Sequence, residues 1–181
     1  MQRTGDRRAN ALKEELVVRV EESSQASATA VYELLSDLRS HAVWAGERQK
    51  KTTRLLSVEA PQGPTVVGTE FHTTGADPMG SFSDRSVVTE AVPSRSFEFV
   101  TEAHLQTKHG KGIDWTNVHR YDLTPEGEGC RIAYTIRITR ISELAGMLAL
   151  FKVPGLRGLG LKASAGVARR GVKNLARMAQ E

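Results

Sequence analysis

A single cysteine, Cys130, stands in 181 residues, so an intramolecular disulfide and a multi-cysteine metal site are both excluded. A reducing compartment, the cytoplasm by default, is the expected home. Long apolar runs are missing as well. The longest near the C-terminus, Met147 to Phe151, falls far short of the roughly 20 residues a membrane span takes. No signal-peptide core follows the basic N-terminus, and Arg7-Arg8 lacks the apolar stretch of a twin-arginine signal. None of the five histidines pairs with another at the helical spacing that builds a zinc site, so no metal is expected. A Walker-type phosphate loop, a nucleophile elbow and internal repeats are lacking too, and no cofactor is expected.

What charge there is in excess is local. The formal balance of +4 arises after Ile141, where seven Lys and Arg face only Glu143 and Glu181. Aromatic platforms that would stack bases are absent from this stretch, so nucleic acid is not an expected partner. The stretch from Leu161 to Gln180 is instead an amphipathic helix. Leu161, Ala165, Ala168, Val172, Leu175, Ala176 and Ala179 recur four and three apart on one face, with Lys162, Arg169, Arg170, Lys173 and Arg177 on the flank. Such a helix needs an apolar surface to lie on, and the first half of its face is small: Ser164, Ala165, Ala168 and Gly171. Small residues either leave a cavity or bring the helix closer to its support; both readings are open at this point.

The support is a sheet. Residues Met1 to about Lys13 lack any period and read as a tail, leaving 14–181 as one domain. Leu16, Val18 and Val20 alternate with Val17, Arg19 and Glu21 as a first strand. Ser27 is an N-cap for a helix carrying Val31, Leu34, Leu35 and Leu38 and ending near Asp37, and a short helical piece carries His41 and Trp44. Six strands follow, at about 52–60, 69–75, 82–92, 96–105, 114–123 and 131–140, separated by Gly- and Pro-rich turns. Turns this short require antiparallel neighbours. In the last strand Ile132, Tyr134, Ile136 and Ile138 share a dry face; parity puts Trp115, Asn117, His119 and Tyr121 inward in the strand before it, and Phe97, Phe99 and Thr101 in the one before that. Between Phe82 and Val92 the two parities are equally mixed, so either Asp84 and Ser86 or Arg85 and Thr89 face inward. A short helix from about Ser142 to Val153 is expected to end in a turn at Pro154-Gly155. Docking on the core edge, a lid, and contact with a membrane surface through Met147, Phe151 and Leu156 are its three possible roles.

This order resembles the START-like (SRPBCC) superfamily, within it the polyketide cyclase/dehydrase and lipid-transport group. The likeness lies in the capped helix ending Ser36-Asp37-Leu38, in Val67-Gly68-Thr69-Glu70-Phe71, in Asp84-Arg85-Ser86-Val87-Val88, and in Tyr121-Asp122-Leu123-Thr124-Pro125 leading into Gly129-Cys130-Arg131-Ile132. The resemblance implies an α+β helix-grip fold: a seven-stranded curved antiparallel sheet clasping the C-terminal helix over a cavity for an apolar or aromatic small molecule. Asn117 and His119 are then the polar groups expected in the cavity, with Trp115, Trp44, Phe82, Phe99, Ala165 and Ala168 as its walls. His119 is the candidate acid or base, and Arg85 would orient a polyketide-like chain only if it faces inward. A carrier or sensor of a hydrophobic molecule, monomer or homodimer, is the first expectation; a cyclase/aromatase acting in the same cavity is the alternative.

Overall fold

A computed structural model describes residues 10–12, 14–49, 54–63, 65–144, 149 and 153–181, the side chains of 154–157 excepted. Strand β1 (Leu16–Ser24) leads through helix α1 (Ala28–Ser36), a 3-10 turn (Leu38–Ser40) and a wide π turn (Val43–Glu47) into a meander. The meander comprises β2 (Arg54–Glu59), β3 (Glu70–Asp77), β4 (Gly80–Val92), β5 (Ser96–Thr107), β6 (Gly112–Glu126) and β7 (Gly129–Ile141). Helix α2 (Pro154–Met178) closes the fold. The seven strands form one sheet in the order β1-β7-β6-β5-β4-β3-β2, every pair antiparallel. The chain is thus a helix-grip fold, with β1 folded back onto the last strand.

Local chemistry sets the joints. The Ala30 amide donates to the Ser27 hydroxyl at the start of α1, as its capping position requires. At the β3–β4 hairpin one Asp77 oxygen accepts from the amides of Met79 (2.6 Å) and Gly80 (3.0 Å), which fixes a two-residue loop and hence the strand register. Between β6 and β7 the register slips: Thr116 faces Arg140 but Asn117 faces Ile138, so Thr139 is a surplus residue. Its carbonyl accepts instead from Asn10 Nδ2 (3.0 Å), while the Ile141 amide donates to Asn10 Oδ1 (3.1 Å). The expected tail therefore gives way at Asn10, because its amide matches the polar groups that the bulge strands.

The C-terminal helix departs from expectation at its start. Pro154 is its first residue, not a break before it, since the missing N–H costs nothing there and the fixed φ suits a helix. The helix expected over Ser142 to Val153 is not formed at Ser142–Leu144; residues 145–148 and 150–152 lie outside the described ones.

Beyond its middle, α2 is held firmly. Val172, Leu175 and Ala176 are buried in the main core with Val18, Val20, Leu35, Trp44, Phe97 and Ile132, each large side chain stabilising by about 1.5–3 kcal/mol. Polar ties reinforce it. The Ser24 hydroxyl donates to the Ala176 carbonyl (3.1 Å), Asn174 Nδ2 donates to the Trp44 carbonyl (3.1 Å), and Arg48 grips the Glu181 carboxylate with two nitrogens. A second, smaller cluster of Leu105, Ile113, Ile141 and Leu144 lies at the other end of the sheet, with Met79, Phe82, Trp115 and Ile138 against it.

Candidate functional site

The inner face of the sheet is a series of cross-strand rungs. One runs Phe71, Ser86, Thr101, Asn117, Ile138 from β3 to β7; the next, toward the smaller cluster, runs Thr73, Asp84, Ala103, Trp115, Ile141. On the opposite side come Val88, Phe99, His119 and Ile136, and then Phe97, Tyr121 and Tyr134. Over these rungs α2 presents Ser164, Val167, Ala168, Gly171 and Val172. The result is a cavity of about 380 Å³ between sheet and helix, with His41, Trp44, Ala45 and Gln49 completing its wall. Small residues thus leave space rather than closer contact along this part of the helix.

Of the residues expected to line it, Asn117, His119, Trp115, Trp44, Phe82, Phe99 and Ala168 all do. Ala165 does not. One turn of α-helix is 3.6 residues, and the cavity-facing line follows Ser164, Val167, Ala168 and Gly171, which turns Ala165 onto the main core instead. Arg85 is likewise corrected. Phe71 is buried inward, and the hairpin register pairs it with Ser86, so Asp84 and Ser86 share the inner face and Arg85 takes the outer. There its guanidinium pairs with Glu70 and stands 4.0 Å from Glu102.

His119 is joined to its neighbours in two ways, and one of them is itself held by a third ring. Its ring stacks on Phe99 at 4.7 Å and 12°, its Nδ1 is hydrogen-bonded to the Tyr134 hydroxyl at 2.7 Å, and Tyr134 stacks in turn on Tyr121 at 4.3 Å. Burial, with the nearby His41, lowers its pKa to about 4, so the imidazole is neutral at pH 7. His41, expected only as part of a short helical piece with Trp44, is 3% exposed, its ring 4.7 Å from that of Trp44. Its Nε2–H donates to the Leu35 carbonyl (2.9 Å), and burial outweighs that bond and the charge of Asp37 to bring its pKa down to about 4. Nothing in the local pattern signalled it, because it lies in a turn where helical and strand periods both fail.

Asp84 lies on this face as well. Thr73 Oγ1 donates to Asp84 Oδ1 at 2.5 Å, yet burial still raises the carboxyl to about 6. Beside it the Ser86 and Thr101 hydroxyls are bonded to each other at 2.8 Å. Oriented to satisfy its neighbours, the Asn117 amide accepts from Trp115 Nε1 (3.1 Å) through its oxygen. These polar groups were legible from one more step of counting: a two-residue loop at Pro78-Met79 pairs position 71 with 86 and 73 with 84.

His119 and Asp84 do not form an acid–base pair. Asp84 faces Ala103 while His119 faces Phe99, four residues along β5, a separation of roughly 13 Å along the strand. Among the described residues no three metal-ligating side chains converge, and no helix is long and apolar enough to cross a membrane.

No family model matches the chain, and no curated protein does. Solved structures do share its fold. An uncharacterized protein from Rhizobium leguminosarum superposes with a TM-score of 0.63 at 15% identity, over 92% of this chain and 95% of that one. The major latex-like protein 151 of Panax ginseng gives 0.59 at 10% identity, over 92% and 99%. DynU16, from the dynemicin biosynthetic locus, gives 0.53 at 19% identity, over 91% of this chain but 47% of its own.

Proposed function

We propose that this chain is a START-like carrier or sensor that takes a hydrophobic or aromatic small molecule out of water into the space beneath α2. The observation that carries the reading is the cavity itself: about 380 Å³ walled by Trp44, Phe71, Phe82, Phe99, Trp115 and Tyr121, with a few polar groups among them. Ligand sites are typically of this make-up, an apolar wall with sparse orienting groups. Transfer of an apolar guest into it is driven by roughly 25 cal/mol for each Å² removed from water. The cytoplasm is the compartment proposed for it, on the strength of its one thiol, buried Cys130.

A cyclase working in the same space is the second reading, prompted by the shared fold of DynU16, a putative protein of a biosynthetic locus. Against it stand a His119 held neutral down to about pH 4 and an Arg85 on the outer face, so the carrier reading is preferred. N-phenyl-1-naphthylamine, a neutral dye that brightens in apolar surroundings, tests the proposal. Fluorescence should rise on titration into the wild type and be lost in Ala168→Phe, whose ring would fill the space, while circular dichroism shows both folded. No rise, or a rise that Ala168→Phe leaves intact, overturns it.

A further inference from the structure

The polarity of the cavity defines its guest further. The Asp84 carboxylate projects from the middle of the sheet, bonded on the β3 side by Thr73 and facing Ala103, which has no polar side chain, on the other. An ionised carboxylate can accept about four hydrogen bonds, so capacity is left on the cavity side. Other acids and bases on the lining are committed or exposed. Asp77 is used by the hairpin amides, His41 donates to Leu35, and His119 is bonded to Tyr134. Arg54 borders the cavity but is exposed, where β2 begins, and His72 lies on the outer face of β3, bonded to Glu70. The strand cations Arg85, Arg120, Arg131 and Arg137 face outward, each beside carboxylates of the outer surface. Burial makes this carboxylate costly to the fold even though Thr73 and the nearby His72 offset part of the cost, as its pKa of about 6 records, and Asn or Ser would fit the same position without that cost.

Resting on the carrier reading above, we infer that the cavity selects flat apolar molecules bearing a hydrogen-bond donor, an amine or a hydroxyl, that meets Asp84, and rejects organic acids. A protonated amine would bring a positive charge to the carboxylate, and a hydroxyl would donate to its remaining acceptor sites. A carboxylate guest would face a like charge or force Asp84 to take up a proton.

Three naphthalenes of one shape test this: 2-naphthylmethylamine, 2-naphthol and 2-naphthoate, each displacing N-phenyl-1-naphthylamine at pH 7.5. The amine and the naphthol should bind at least about tenfold tighter than the naphthoate, the scale of one charge-assisted hydrogen bond. Asp84→Asn, near-identical in shape, should bring the three within about threefold of one another by weakening the amine and strengthening the naphthoate. Equal binding of the three by the wild type, or a ranking that Asp84→Asn leaves unchanged, overturns the inference while leaving the carrier reading in place. Binding of none, the dye included, overturns both. The wild-type ranking decides the matter even where the variant is poorly folded.

Discussion

His119 Nδ1 lies 2.7 Å from the hydroxyl of Tyr134, a hydrogen bond that ties β6 to β7 across the floor of the cavity. Because Tyr134 is buried and its ring also stacks on Tyr121, the pair fixes both the strand spacing and the orientation of the imidazole. Tyr134→Phe leaves the nitrogen without that partner, and the expected cost is about 1–3 kcal/mol. Urea denaturation at pH 7.5 measures it; an unchanged midpoint would show the bond to be idle.

The two neutral histidines make the protein sensitive to acid. Both have folded-state pKa values of about 4, below the ordinary 6.5, so the unfolded chain binds more protons between those limits. Stability is therefore full above pH 6.5 and falls as the pH drops toward 4. The loss is on the order of 3 kcal/mol for His41 and less for His119, whose ring borders the cavity. His119→Gln should flatten part of the slope, read as Tm against pH from 7.5 to 4.5.

Asp84 works in the opposite sense. Its folded pKa of about 6 exceeds the ordinary 3.8, so its cost to the fold is absent below pH 4 and complete above pH 6. Asp84→Asn is expected to stabilise the protein by about 1–3 kcal/mol at pH 8 and by little at pH 4, even as it loses discrimination among guests. Paired melting curves at the two pH values check the sign.

Gly75 faces Phe82 across the β3–β4 pair, and a Cβ there would stand 2.0 Å from the Phe82 ring and 2.6 Å from the Arg54 carbonyl. The aromatic ring covers the bare backbone, a packing that only glycine permits. Gly75→Ala should cost about 1–3 kcal/mol and, by displacing a cavity wall, alter dye affinity more than a change on the outer face such as Arg85→Ala.

Architecture was legible in this chain because its periods are clean. Ile132, Tyr134, Ile136 and Ile138 announce a one-sided strand, and Ser27 before Val31 and Leu35 announces a capped helix. The site was legible only where that alternation was unbroken, as at Trp115, Asn117 and His119. On β4, valines on both faces hide the parity of Asp84 and Arg85, and the answer came from a pairing partner 11 residues away from Asp84, Thr73. The start of α2 was misjudged for a related reason: Pro154 has the same identity whether it ends one helix or begins another, and only the extended backbone of Val153 distinguishes the cases.

Thr139 has a consequence larger than its size. Strict alternation past Ile136 and Ile138 would turn the next inward position over to Arg140; the surplus residue shifts the phase so that Ile141 occupies that place and Arg140 takes the outer face beside Thr116. The electrical character of the chamber is thereby decided by arithmetic along one strand. Excising that threonine would leave Ile138, Arg140 and Ile141 in plain alternation with the guanidinium still outside, whereas flattening the bulge with the threonine kept would carry Arg140 inward and Ile141 out.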